Sequence, residues 1–357
     1  YAPYRNNRAT FYAGGFAGVA FSLIELSKAL SVPAYEEAAL ILTEKIAADA
    51  KPVDFGVIWT GYSGPYHDGG TILYLLYAAR HFNRPEWKEL AAQGGRAIIS
   101  TGETYGADQV WYKGFHNILA EFNGKDPEKE SDFFPNFSYG TSGMTYVLAR
   151  LYEETGDRDF LDAAEKGANY LISIAVPASQ GRLIPYHYPD NREDVFFLGL
   201  CHGPVGSSRV FVLLHRLTKN PIYRDFYVEL TQGIIGAGAP EYHSAGYWDC
   251  HCQCCGTAGF VNLFLGIWLE SGGDEYLDYA VRSGKVLLGG ATYDGEKAIW
   301  YQAFTRLKPD LITTDLGYME GAAGIGVALL QLSTALGEDF TTIRLPDDPF
   351  ATAGHRA

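Results

Sequence analysis

One short glycine element recurs six times along the chain, and this repetition constrains the fold more than any other feature. The copies are Gly15-Phe-Ala-Gly18, His67-Asp-Gly-Gly70, Gly140-Thr-Ser-Gly143, Gly203-Pro-Val-Gly206, Gly256-Thr-Ala-Gly259 and Gly321-Ala-Ala-Gly324, with His67 standing where the others have their first glycine. A single copy would carry no information, but the six share their surroundings. Five and six residues past the last glycine, every copy is apolar: Leu23-Ile24, Leu75-Leu76, Leu148-Ala149, Phe211-Val212, Phe264-Leu265 and Leu329-Leu330. Seventeen residues past it, five copies have an aromatic, at Tyr35, Trp87, Phe160, Tyr223 and Tyr276; the sixth has Thr341, beside Phe340. Aromatics make up 14% of the chain, so chance rarely produces this alignment.

Each copy therefore predicts a helix, a short turn and a second helix. Ser31, Asn83, Asp157, Asn220 and Asp274 are N-cap residue types ahead of the second helix. Pro33, Pro85 and Pro221 suit its first turn, where a missing N–H costs nothing. Phe160, Ala163, Ala164 and Tyr170 then follow at helical spacing. Successive copies lie 52, 73, 63, 53 and 65 residues apart, and the variable part falls between the second helix and the next glycine element. A lone helical hairpin cannot bury both apolar sides, whereas stacked hairpins can. The expected fold is all-α: an α/α toroid of about six to seven helical hairpins, first helices inside and second helices outside, with glycines letting the inner helix ends approach. An open superhelix is the competing arrangement. One domain is expected over residues 1–344, followed by a polar, Pro-containing tail over 345–357. Tyr105 to Ser131 and Tyr186 to Asp194 read as long loops on one face.

Composition narrows the partners. The chain has 28 Lys+Arg against 42 Asp+Glu, a net charge of −14, which argues against phosphate backbones and anionic lipid. Apolar residues make up 47%, enough for a sizeable core and too many for global disorder. No run approaches the roughly 18 apolar residues of a membrane span, and the most apolar stretch, Phe260 to Leu269, is interrupted by Asn262. The expected partner is a peptide or small molecule acting on a monomer. The five cysteines are too dilute for a disulfide scaffold, yet Cys250, Cys252, Cys254 and Cys255 crowd into six positions, a pattern of metal or redox chemistry. Metal-binding thiols persist best in a reducing cytoplasm, although a chain opening on Tyr1 leaves room for a removed targeting segment.

If all first helices start at one rim, the residues just before each glycine element converge there. They are Ala13-Gly14, Pro65-Tyr66, Ser138-Tyr139, Cys201-His202, Cys254-Cys255 and Met319-Glu320. A helix N-terminus favours thiolate over thiol. Adjacent copies four and five would bring together Cys201, His202 and Cys254, and two thiolates plus an imidazole with an open fourth position make a catalytic zinc site. The bland alternative is that the cysteines are simply small and His202 caps a carbonyl. Glu320 is a ligand, a general base or a satisfied carboxylate; His67 and Asp68 are substrate contacts or a structural pair. Cys250 and Cys252, in Trp248-Asp-Cys-His-Cys-Gln-Cys-Cys, extend the ligand set, pair with each other, or have no role, and His251 is equally unassigned. Two-carboxylate hydrolysis would draw on Asp68, Asp132, Asp194, Asp249 or Glu320.

The six elements, with Leu198-Gly-Leu-Cys-His-Gly-Pro-Val-Gly206 and Cys254-Cys-Gly-Thr-Ala-Gly259, resemble the lanthionine synthetase C-like family over almost the whole chain. The resemblance implies an α/α toroid with a central metal site. It also implies a zinc-dependent cyclase that adds a peptide cysteine thiolate to dehydroalanine or dehydrobutyrine; eukaryotic relatives add glutathione to dehydrated peptides. Zinc lowers the thiol pKa, and a histidine manages the proton at the enolate carbon. The family's histidine in the fourth element falls on His202, and its zinc cysteine in the fifth on Cys254. Its Cys-His-Gly in the sixth element is replaced by Met319-Glu320-Gly321, and its aspartate in the third by Asn136. Cys201 is an added thiol. The family's usual zinc set thus cannot form. Either zinc moves to Cys201, His202 and Cys254, with Glu320 as candidate fourth ligand, or metal and cyclisation are lost. On this reading His202 and Glu320 are catalytic, and His67, Asp68, Asn136, Tyr139, Cys255 and Trp248 contact substrate. Two other functions compete: a carbohydrate-active glycosidase or lyase on a helical toroid, whose aromatic rim loops would suit sugar stacking, and an inactive peptide- or small-molecule-binding module.

Overall fold

The computed structural model describes residues 9–12, 15–112, 134–188, 196–242, 247–248, 250–303 and 308–350. Each glycine element opens a helix, and five of those helices are followed by a second. The pairs are α1 (Phe16–Leu30) with α2 (Pro33–Ala48), α3 (Asp68–His81) with α4 (Pro85–Ser100), and α5 (Thr141–Thr155) with α6 (Arg158–Ile174). They continue with α7 (Pro204–Thr218) and α8 (Pro221–Gly236), then α9 (Thr257–Ser271) and α10 (Asp274–Gly289). The sixth element opens α11 (Ala322–Ala335), and residues 336–350 form no helix. The described residues thus hold five complete hairpins and one further first helix, where about six to seven hairpins were expected. The sixth copy is the one without an aromatic at the seventeenth position, so it has nothing there to anchor a second helix.

Burial separates the two helix types. In α9 every residue from Thr257 to Trp268 is buried, and α3 is buried from Asp68 to Leu76. In α10 only Tyr276, Ala280, Ser283, Gly284 and Leu287 are buried, a single stripe at helical spacing. The turn between the helices repeats a backbone feature. Thirteen residues after the last glycine stand Ser31, Asn83, Gly156, Lys219 and Gly272, and all five are left-handed, with φ between 52° and 74°. Ser31 and Asn83 therefore end first helices rather than cap second ones; the N-caps of α2 and α4 are Val32 and Arg84, without side-chain caps. Asp274 is likewise the first residue of α10, after Gly273. Asn220 does cap, its Oδ1 accepting the Ile222 N–H at 3.1 Å, and Asp157 accepts from Asp159 N–H at 3.1 Å.

The glycines have a more local purpose than expected. A Cβ on the first glycine would sit 1.8 Å from the Cys250 carbonyl oxygen at Gly256, 1.9 Å from that of Phe134 at Gly140 and 2.1 Å from that of Asp315 at Gly321. In each case the loop entering the helix folds back so that the carbonyl six residues earlier occupies the side-chain position. Contact between copies is the second use: a Cβ on Gly143 would lie 2.3 Å from the Pro65 ring.

Short ribbons fill most of the variable segments. They are β1 (Lys51–Val53) with β2 (Gly56–Ile58), β3 (Gly102–Gly106) with β4 (Gln109–Tyr112), and β5 (Val176–Pro177) with β6 (Arg182–Leu183). A two-residue parallel pair follows, β7 (Phe196–Phe197) with β8 (Tyr247–Trp248). Two more ribbons are β9 (Ala291–Asp294) with β10 (Lys297–Trp300) and β11 (Gln302–Ala303) with β12 (Ile312–Thr313). The segment from Tyr105, read as loop, begins as β3–β4; residues 113–131 and 189–194 of the expected loops lie outside the described residues. So do Ala13-Gly14, Asp132, Asp194 and Asp249.

The chain forms two compact units. One comprises Tyr1–Ser173, His187–Pro189 and Leu345–Asp347; the other comprises Ile174–Tyr186, Asp190–Arg344 and Asp348–Ala357. The first is centred on Tyr74, Tyr112, Tyr146, Phe137 and Phe160, the second on Phe211, Phe260 and Phe264. Residues 345–350, read as the start of a polar tail, are packed. In the first unit Asp347 accepts a 2.6 Å hydrogen bond from the Tyr12 hydroxyl; in the second Phe350 is buried where a Cβ on Gly266 would meet its ring. No helix among the described residues is long and apolar enough to cross a membrane.

Candidate metal centre

All five cysteines lie in the second unit, and all are buried and outside any disulfide. Cys201 ends the loop entering α7, while Cys250 to Cys255 form the loop entering α9. Backbone hydrogen bonds tie these loops edge to edge. Cys201 N–H donates to the Cys254 carbonyl at 3.1 Å, and Cys254 N–H donates to the Met319 carbonyl at 2.8 Å. The Cys250 carbonyl that takes the Cβ position of Gly256 also accepts from Thr257 N–H at 2.7 Å. Three consecutive glycine elements thus meet at the pre-glycine residue of each.

This stitching gathers the sulfurs. Sγ atoms of Cys201, Cys254 and Cys255 all lie within 4.8 Å of one another, with Cys201 and Cys255 at 3.3 Å. Cys250 and Cys252 Sγ are also 3.3 Å apart, and Cys255 N–H donates to Cys252 Sγ at 3.4 Å. Burial, then hydrogen bonding to Cys254, pushes the Cys201 thiol well up. Hydrogen bonds with the other four thiols, Cys201 first, push Cys255 up, and Cys252 does the same to Cys250. Burial acts the same way on Cys252 but is outweighed by hydrogen bonds from Cys250, Cys255 and two backbone N–H groups, so this thiol is held well below its ordinary value.

The three-sulfur group holds Cys201 and Cys254, two of the three residues expected to bind metal, together with Cys255, expected to contact substrate. The His202 ring packs edge-on against Tyr186 at 4.9 Å and Phe197 at 5.3 Å. The His251 ring lies where a Cβ on Gly290 would be, at the end of α10. Glu320 faces the sulfurs electrostatically; burial, then the charges of Cys254, Cys252 and Asp315, push its carboxyl up to about 7. Gln302 was missed by sequence reasoning. It accepts from His251 N–H at 3.1 Å and donates to the Glu320 carbonyl, joining the cysteine loop to the sixth element. A lone glutamine in a ribbon gives no sequence signal of that.

The other candidates lie in the first unit, apart from Trp248, whose backbone pairs with Phe197 and whose side chain is outside the description. The Asp68 carboxylate accepts four hydrogen bonds, from Trp59 N–H (3.1 Å), Thr60 N–H (2.8 Å), Thr60 Oγ1 (2.7 Å) and Gly61 N–H (3.1 Å). Its lone pairs are committed to the loop. Asn136 Oδ1 accepts from Tyr139 N–H at 3.0 Å, also within its own loop. His67 is buried beside Tyr62 and Tyr139, and burial lowers its pKa to about 4.

The family model for lanthionine synthetase C-like protein matches residues 4–343. The chain belongs to that family. No curated protein matches this LanC-like chain. Among solved structures it is similar to nisin cyclase, with a TM-score of 0.64 and 14% identity over 97% of this chain and 81% of that one. A sugar epimerase from a ruminal bacterium gives 0.59 and 12% over 91% and 87%. Cellobiose 2-epimerase from Bacillus thermoamylovorans gives 0.51 and 10% over 80% and 78%. At such identities the likeness is one of fold, and that fold is the α/α toroid the repeats predicted. The residues just before the fourth, fifth and sixth glycine elements of this LanC-like chain are Cys201-His202, Cys254-Cys255 and Met319-Glu320.

Proposed function

We propose that the protein is a zinc-dependent thiol-addition enzyme, joining a cysteine or small-molecule thiol to a dehydroamino acid in a peptide. The observation that carries this reading is the buried group of Cys201, Cys254 and Cys255. Sulfurs bound to one tetrahedral zinc at about 2.3 Å stand about 3.8 Å apart, so three thiols within 4.8 Å need little rearrangement to share one ion. Zinc in such a site supplies a lowered pKa for an incoming substrate thiol.

The chain's own residues do the rest. Cys201, Cys254 and Cys255 hold the ion, and the Cys201 and Cys254 N–H bonds keep their loops in register. When a thiolate adds to the β-carbon of a dehydroamino acid, the α-carbon must take a proton. Glu320, with a carboxyl near 7, is a donor poised for neutral pH, and His202 is the second candidate for proton handling. His67, Tyr139 and Trp248 are proposed substrate contacts. Asn136 stays a proposed contact through its Nδ2, since only its Oδ1 is taken, by Tyr139 N–H; Asp68 is not one, because its oxygens serve residues 59–61. Buried thiols outside any disulfide suit a reducing compartment, so we place a monomeric enzyme in the cytoplasm.

The test combines metal analysis with turnover. Purified protein should carry zinc that is lost in Cys201→Ala and Cys254→Ala, and should consume glutathione or a peptide thiol in the presence of a dehydroalanine peptide. Wild-type protein without metal after zinc loading would sink the reading. Turnover of a sugar panel, unaffected by Cys201→Ala, would select the carbohydrate alternative; saturable binding without turnover would select the binding module.

A further inference from the structure

Cys250 and Cys252 have no part in the three-sulfur group, yet the structure brings them to it. Their Sγ atoms are 3.3 Å apart, the same separation as Cys201 and Cys255. The Cys255 N–H points at Cys252 Sγ, at 3.4 Å, so the residue that completes the first group also touches the second pair. None of the five sulfur-bearing residues is more than 6% exposed. The nearby imidazoles are placed elsewhere, His202 against Tyr186 and Phe197 and His251 against Gly290. The two close pairs meet at Cys255, whose thiol interacts with Cys201, Cys254, Cys250 and Cys252; Cys201, Cys254 and Cys255 already lie within 4.8 Å of one another, and Cys250 and Cys252 would close on Cys255 when an ion binds.

We propose that this pocket takes two thiophilic metal ions, one held by Cys201, Cys254 and Cys255 and the other by Cys250, Cys252 and Cys255, with the Cys255 thiolate bridging them. The proposal deepens the zinc reading above and rests on it for the first ion. Charge permits double occupancy. One dication on three thiolates leaves one negative charge, and a second dication that deprotonates the remaining two thiols again leaves one, so the second ion adds no uncompensated charge; the Cys255 N–H bond to Cys252 helps to offset the one that remains. On binding, each thiol gives its proton to buffer, and each ion gains sulfur bonds with no change in oxidation state. A soft, thiolate-only donor set selects ions such as zinc, cadmium or copper(I) over magnesium or manganese.

Anaerobic titration of reduced, metal-free full-length protein with cadmium tests this, since each cadmium–thiolate bond adds ultraviolet charge-transfer absorption. Wild type should bind two ions per chain, Cys201→Ser one, and the Cys250→Ser/Cys252→Ser double variant one. Cys255→Ser should lose at least ten-fold in affinity at both sites, a signature that two independent sites would not give. A second measurement needs no variant: bound cadmium should shield all five thiols from a thiol reagent. A stoichiometry of one with three shielded thiols, unchanged in the double variant, would overturn the second ion and leave the three-sulfur reading standing. No binding in wild type would overturn both. One ion retained tightly by Cys255→Ser would overturn the bridge, and so would a Cys250–Cys252 disulfide that persists in reductant.

Discussion

The loops before α5 and before α9 share a backbone and differ in chemistry. In both, a carbonyl six residues earlier occupies the glycine's side-chain position, from Phe134 at Gly140 and from Cys250 at Gly256. In both, the next N–H groups return to the loop: Thr141 N–H to Phe134 at 3.0 Å, Thr257 N–H to Cys250 at 2.7 Å. In the first loop Asn136 Oδ1 accepts from Tyr139 N–H, and the Tyr139 ring lies tilted beside Tyr66 and His67. The second loop presents four thiols, which meet one another and Cys201 of the preceding element. The glycine element is thus a scaffold that says nothing about reactivity; what the five preceding residues carry decides that.

The largest separation of the two loops comes from removing a sulfur. Cys254→Ala should weaken metal binding by at least about 100-fold, comparable to or beyond the loss of a supporting residue around a metal, while Asn136→Ala should leave it unchanged. Elemental analysis and competition with a chromophoric chelator would read this, and equal losses would mean the two loops are not functionally distinct. Next come the glycines. Gly140→Ala and Gly256→Ala each force a Cβ within 2 Å of a carbonyl oxygen, so each should destabilise by about 3 kcal/mol or more. Both should lower the melting temperature of metal-free protein, but only Gly256→Ala should also reduce metal affinity, because its carbonyl partner belongs to Cys250.

The pH dependence of stability sets two further loops, those before α3 and α11, in opposite directions. His67 has its folded pKa lowered by burial from 6.5 to about 4, so its contribution is present above 6.5 and lost as pH falls toward 4. The loss is on the order of 2–3 kcal/mol at full effect. Glu320 has its folded pKa raised by burial from 4.5 to about 7, so its contribution is present below 4.5 and lost as pH rises through 7. Thermal melts of metal-free protein from pH 4 to 8 should therefore lose slope on the acid side in His67→Gln and on the neutral side in Glu320→Gln. Identical profiles for the two variants would refute the assignment. With metal loaded, the ion offsets the Cys254 and Cys252 charges that help to raise the Glu320 carboxyl, so the neutral-side limb should move to lower pH than in metal-free protein, and Glu320→Gln should lack it.

Much of this was legible in the sequence because the relevant signals are local. The glycine elements, the apolar pairs and the aromatic at the seventeenth position mark where helices begin and what anchors them, and the helices stand there. Cys201 and Cys254 could be paired because the repeat places them at the same offset, and the structure brings them together. Cys255 lies with them because an offset fixes a backbone position but not which way adjacent side chains turn; the His202 ring packs against Tyr186 and against Phe197 in the loop that leads to it. Asp68 was ambiguous for the same reason. Its four donors come from residues 59–61, and only the folded loop shows that nothing is left for a substrate.

The interhelical turn gives the smallest expected effect and the finest comparison between copies. All five hairpins turn at a left-handed residue thirteen places after the glycine element, but the copies fill it differently, with Ser31, Asn83, Gly156, Lys219 and Gly272. Asn83, Gly156 and Gly272 are residue types that favour this conformation but Ser31 and Lys219 are not, so the shared geometry is only partly legible in the sequence. A left-handed conformation costs an L-residue about 1 kcal/mol relative to glycine, and less for asparagine. Glycine also loses more entropy on folding. The net for Lys219→Gly, at φ 60°, should be stabilisation of at most about 1 kcal/mol. Gly156→Ala, at φ 73° with open space around the position, should destabilise by a similar amount. Denaturant melts of the two variants should bracket wild type. If both instead fall on the same side, side-chain contacts rather than backbone conformation govern the turn, and the five copies are alike in shape for different reasons.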